Sequence, residues 1–204
     1  MKKSYILLEF ILIIIILSII YSTISIKPRY NKLNELKNRI ELYLKQVRYQ
    51  ALLDDKYSNT NALWHKQRWT MKFFRCRESV GGVYFSIYSE KNDTGHPNQK
   101  ESLKDPLTNK YIYNNNYCKE SQENSSYTLL SKNYDIKNIE ISCNSTDSLG
   151  QISFGNDGKV YSKLSNYQND SSSYEIKKPC KIKLISQNND FVELEISPKT
   201  GFIK

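Results

Sequence analysis

The first chemistry the chain offers is a carboxylate set among hydrocarbon. Residues 3 to 20 read KSYILLEFILIIIILSII, and Glu9 is the only charged side chain between Lys3 and Lys27. A carboxylate resists leaving water, and at mid-membrane it costs about 2.5–3.5 kcal/mol. Such a group is usually held in lipid by a partner. Nothing inside the segment is basic, so the partner has to come from another chain. The second reactive set is sulfur. The four cysteines are Cys76, Cys118, Cys143 and Cys180. None forms a C-x-x-C pair or lies beside a histidine, and His65 and His96 fit no zinc spacing. Downstream of an export-type segment they read as two disulfides. Three connectivities exist; the sequential one, Cys76–Cys118 with Cys143–Cys180, would staple two successive parts of one domain.

A third set is cationic. His65-Lys-Gln-Arg68-Trp69, followed by Lys72, Arg75 and Arg77, interleaves bases with an aromatic ring. Phosphate backbones and stacked bases take such surfaces, so Lys66, Arg68, Lys72, Arg75 and Arg77 are candidate DNA contacts. Alternation on a strand argues otherwise: Trp69 would point inward while the cations solubilise the outer face. Lys177, Lys178, Lys181 and Lys183 form a second basic cluster. The net charge of +9 over 204 residues is accounted for by diffuse surface lysine, although polyanions are plausible neighbours. The acidic stretch from Glu90 to Gly95 is a poor calcium cage, because calcium wants six to eight oxygens. It reads as a solvated loop. Within it, Asn92-Asp-Thr94 is a glycosylation sequon with Glu90 two residues before the asparagine. No His–acid pairing, G-x-S-x-G, P-loop or metal constellation is present, so neither an enzyme nor a cofactor is expected.

These residues need elements to hold them. Residues 5–26 form one apolar run, which as a helix would be about 33 Å long and could cross a bilayer. Lys2 and Lys3 precede it, so its N-terminus should stay cytoplasmic and the rest should lie outside. It is too long for a cleaved secretory core, and Ser22-Thr23-Ile24-Ser25 is a poor A-x-A-type site. Over residues 27–55 the apolar positions become Tyr30, Leu33, Leu36, Ile40, Tyr43 or Leu44, Val47 and Ala51. Their steps of three and four predict an amphipathic helix stopping near Asp54-Asp55. From residue 63 the period falls to two. Trp69, Met71 and Phe73, then Val83, Phe85 and Ile87, predict a hairpin turning at Gly81-Gly82. Further strands are expected at 111–113, 127–130, 137–143, 151–154, 159–164, 181–186 and 191–196. The expected fold is α+β: a long N-terminal helix, half transmembrane and half amphipathic, packed on a mostly antiparallel head over residues 60–204.

Lys-Lys-Ser-Tyr-Ile-Leu-Leu-Glu and the apolar helix after it resemble the class III signal of type IV pilins and type II secretion pseudopilins. The resemblance implies a leader of residues 1–4, cut by a prepilin peptidase between Ser4 and Tyr5, with Tyr5 then N-methylated. Glu9 matches the family's glutamate, which pairs with the new amine of a neighbouring subunit. Leu17, Ser18 and Ile19 stand where many members have Leu-Gly-Ile, and Pro28 lies near the family's helix-kinking proline. Ser4, Tyr5 and Pro28 depart from the usual Gly, Phe and proline position. In the head, residues 152–158 and 195–203 resemble turn phrases of minor pilins and H-type pseudopilins, and residues 105–111 resemble a loop of major pseudopilins. The resemblance thus implies a minor pilin or pseudopilin of a pilus, secretion or DNA-uptake filament in a bacterial inner membrane. Its partners would be other pilin subunits, the peptidase, an assembly platform and, as for some minor pilins, DNA. The competing expectation is a signal-anchored periplasmic binding or adaptor protein that does not polymerise.

Overall fold

The computed structural model describes residues 3–24, 32–92 and 96–204. They fall into two units, Met1–Lys32 and Leu33–Lys204.

The first unit contains α1, Lys3–Ile24, helical over 22 residues. Its side chains from Leu8 to Tyr21 are exposed, and apart from Glu9 and Ser18 they are hydrocarbon or aromatic. Ser18 spends its hydroxyl on the Ile15 carbonyl at 2.8 Å, which removes one polar group from competition with solvent. Among the described residues no helix is long and apolar enough to cross a membrane. The run from Leu8 to Tyr21 has 14 residues, or about 21 Å of helix, against about 30 Å of hydrocarbon. The side chains of residues 22–26, which would lengthen the run, lie outside the described set, as do Tyr30 and Pro28 with its expected kink.

The second unit takes up α2, Lys32–Leu53, from its second residue onward. The stripe read from spacing is the one that packs: Leu36, Ile40, Tyr43, Leu44, Val47 and Ala51 are all buried. The helix ends one residue before Asp54, as the sequence suggests. On its flank the pairs Glu35–Arg39 and Glu41–Lys45 are i,i+4 salt bridges of 3.1 and 2.6 Å. Intrahelical i,i+4 pairs contribute only about 0.2–0.5 kcal/mol each, so the packed stripe is the main hold on α2.

Two antiparallel sheets make up the rest. The first joins β1 (Trp69–Arg75), β2 (Val83–Tyr88), β4 (Gly150–Phe154) and β5 (Val160–Tyr161) in the order β2-β1-β4-β5. The second joins β3 (Ile136–Ile141), β6 (Cys180–Ser186) and β7 (Phe191–Ile196) in the order β3-β6-β7. A short helix, α3, covers Leu130–Tyr134. Residues 126–134, part of which the sequence suggests as a strand, instead form a 3-10 turn and this helix. The turn's burial is driven by partners remote in sequence. Tyr111 is likewise held by isolated bridges to Lys104 and Asn124 rather than by a strand.

On β1, Met71 and Phe73 sit opposite Ile87 and Phe85 and face α2, with Tyr43 and Phe85 ring centroids 5.7 Å apart. Ile152, Phe154, Ile182, Leu184, Leu194 and Ile196 complete the same core. The opposite face of β1 is polar yet also covered. Thr70, Ser86, Gln151 and Ser153 are all buried there. Asn114 N donates to Ser86 Oγ at 3.2 Å, which shows one covering loop. At Gly201 (φ +61°) a Cβ would stand 2.9 Å from the Phe154 ring and 3.2 Å from Arg48 Cδ, so only glycine lets this turn close against the core.

Candidate functional site

Glu9 sits on α1 with exposed apolar neighbours, Leu8 and Phe10 among them. Among the described residues it makes no ion pair. Tyr5 is exposed, and Ser4 is helical with its side chain outside the described set. The side chains at positions 5 and 9 are four residues apart and so lie on one face of the helix.

The disulfides follow the sequential pairing, Cys76–Cys118 and Cys143–Cys180, and no described cysteine is free. The first ties the β1–β2 hairpin loop to the long loop before α3. The second ties the end of β3 to the start of β6.

The five cationic candidates do not share a surface. Arg68 is buried, with its guanidinium 3.7 Å from the Tyr161 ring centroid and 5.1 Å from that of Trp64. It donates to the Ser171 carbonyl at 2.8 Å, while its Nε has no partner. Burial draws its pKa below the usual value, against the opposing fields of Tyr161, Asp157 and Glu175. Arg68 is thus a packing residue rather than an outward cation. Arg75 and Arg77 are exposed at the far end of β1, and Arg77 is stacked 3.7 Å over Tyr117. Lys66 and Lys72 belong to a different region, a cleft on the polar face of the sheet. Trp69 is only half-buried, because its Nε1 reaches out to Asp54 Oδ2 at 2.8 Å. Lys72 is drawn into the fold rather than left on a solvated face. The reason is that loops roof the polar face of this sheet while α2 packs on the other.

His65, which the sequence offered only as the start of the basic stretch, is fully buried. Its Nε2 lies 3.0 Å from the Ser165 carbonyl and Nδ1 has no partner. Since a carbonyl only accepts, Nε2 carries the proton and Nδ1 is bare. Burial lowers the imidazole's pKa, the Ser165 bond opposes that, and Arg68 adds to it.

In the acidic loop, Glu90 is buried and Asn92 exposed; residues 93–95, including the rest of the sequon, lie outside the described set. Among the described residues no group of three or more His, Cys, Asp or Glu could hold a metal ion. No protein-family model, characterised protein or solved structure matches this chain.

Proposed function

We propose that the chain is a low-copy subunit of a filament of the type IV pilin and pseudopilin kind. It is anchored by residues 5–26 in a bacterial inner membrane with its head outside. Leader removal after Ser4 frees the amine of Tyr5, which pairs with Glu9 of an adjacent copy or a related subunit. The observation that carries this reading is Glu9 itself, a carboxylate in an apolar helix with no counter-charge among the described residues. An unpaired charge in lipid is heavily penalised, whereas one matched by a neighbour's amine is satisfied only in the correct register. The carboxylate therefore rewards assembly over solitary insertion.

Two further features support a subunit role. The outer side of α2 carries Leu42, Tyr49 and Leu53, all exposed. Their spacing of seven and four makes an apolar seam on the side away from the core, suited to burial against other subunits. The disulfides cross-brace the head, as expected of a mechanical part outside the cytoplasm.

The test is Glu9→Leu in cells that carry the cognate machinery. Co-sedimentation of the subunit with sheared filaments should fall by an order of magnitude or more while membrane insertion persists; unchanged incorporation would overturn the reading.

A further inference from the structure

Three lysines that sequence separates converge on one cleft of about 360 Å³. Lys66 comes from the 3-10 turn Trp64–Gln67, Lys72 from the middle of β1, and Lys163 from the loop after β5. The volume lies within the range of small-molecule sites. Lys72 is the unusual member. It stands on the central strand between Ser86 and Gln151, the residues in register on either side, both buried. Burial lowers its pKa, against the opposing field of Glu90. Its ammonium has no hydrogen bond or ion pair among the described residues and lies 5.3 Å from the Phe74 ring. Lys163 is in the same condition, its Nζ 5.2 Å from the Tyr174 ring. A half-buried ammonium with only a distant carboxylate field and a ring beside it costs more than a neutral polar side chain such as the flanking Ser86 or Gln151 would, so stability alone does not explain Lys72.

The walls are set in advance. Asn144 Oδ1 accepts from both N and Oγ1 of Thr146 at 2.8 Å. Thr146 Oγ1 in turn lies 2.9 Å from Ser148 Oγ, and Asn144 Nδ2 donates to the Ser148 carbonyl at 2.9 Å. This fixes one rim of hydroxyls over the cleft. At the other side, Ser89 Oγ donates to the Gln67 carbonyl at 2.6 Å, tying the turn that bears Lys66 to the end of β2. Two carboxylates, Glu90 and Asp147, also line the space. Among the described lining residues three ammonium groups stand with two carboxylates, and amide and hydroxyl groups lie between them. A bare anion would meet the two acids. A ligand with an acidic end and several hydroxyls satisfies both, its acid on the lysines and its hydroxyls donating to the carboxylates.

We propose that this cleft binds a hydroxyl-rich anion, a sugar unit bearing a carboxylate or a phosphate. The proposal is independent of the filament reading, since the cleft lies wholly within the second unit. The test is calorimetric titration of the full-length, uncleaved chain in detergent with glucuronate, glucose 6-phosphate, glucose and inorganic phosphate. The expectation is saturable binding of one or both acidic sugars, with a Kd of about 1 mM or tighter. Glucose and inorganic phosphate should each bind at least roughly tenfold more weakly. Preference for glucuronate would assign a carboxylate sugar, and preference for glucose 6-phosphate a sugar phosphate. Lys72→Met should retain the native circular dichroism spectrum and weaken binding about tenfold or more; Lys163→Gln, farther from the core, should weaken it in the same direction. The proposal is overturned if neither acidic sugar binds, if inorganic phosphate binds as well as they do (an adventitious ion only), or if both variants bind like the parent. Because uncleaved chain is used, a failure here says nothing about assembly, and a failure of assembly says nothing about the cleft.

Discussion

Tyr43 Oη donates a 2.8 Å hydrogen bond to Asp105 Oδ2, joining α2 to a loop 62 positions away. Both residues are buried, and Asp105 Oδ1 also receives the Leu107 N–H at 2.9 Å. Arg39, one turn earlier on α2, lies 3.5 Å over the Tyr127 ring. The helix thus holds the long loop segment between β2 and α3 at two points. Tyr43→Phe keeps the packing and strips one donor from a buried carboxylate, so it should cost about 2 kcal/mol in urea unfolding. The pKa of the phenol is raised by burial and by Asp105. A raised pKa means stability that is full below about pH 10, the unfolded tyrosine value, and lost as pH rises beyond it. Tyr43→Phe should flatten that alkaline decline.

Acid should act through His65. Its folded pKa lies below the unfolded value of about 6.5, so the unfolded chain binds the extra proton first. Stability is therefore full above about pH 6.5 and falls as pH drops below it, down to the folded pKa. Carboxylates titrate lower than the start of this window. Chemical denaturation at pH 7.5, 6.5 and 5.5 should show the decline in the parent and a flatter profile in His65→Gln, whose amide keeps a donor for Ser165. A parent profile flat across those values would contradict it.

The two disulfides close loops with sequence separations of 42 and 37. Loop-closure entropy puts each at about 4 kcal/mol as an upper figure, with roughly 2–4 kcal/mol usual. Replacing either pair with serines should lower unfolding free energy by about 3 kcal/mol. A loss for one pair under about 1 kcal/mol would mean that it does not constrain the unfolded chain as assumed.

If the α2 seam meets other subunits, Leu42→Glu and Leu53→Glu should leave the head's stability within about 0.5 kcal/mol, since both side chains are exposed. Filament incorporation should nonetheless fall in both. Loss of stability along with incorporation would place the two leucines in the fold rather than in an interface.

What the sequence disclosed tracks how local each cause is. The α2 stripe from Leu36 to Ala51, the β1–β2 hairpin, β6 and β7 are set by periodicity within a few residues, and they lie where the pattern places them. Both disulfides follow the simplest pairing. Residues 127–130 do not form the expected strand, because Leu129 and Leu130 are buried by partners remote in sequence. Period two put Lys72 on the face opposite Met71, correctly, but could not show that loops roof that face. Arg68 looked like a phosphate contact for the same reason. Its stacking on Tyr161 and Trp64 depends on β5 and the turn before β1, which no local pattern joins. The burial of His65, which the sequence placed in an outward basic stretch, carried no local signal, since a histidine in a turn looks the same whether covered or bare.

The mass of the mature N-terminus tests most directly what happens between Ser4 and Tyr5. Protein purified from membranes of cells with an active prepilin peptidase should yield an N-terminal peptide beginning at N-methylated Tyr5, with residues 1–4 absent. A peptide that still begins at Met1 in those cells would contradict the account, since without the freed amine Glu9 has no partner to find.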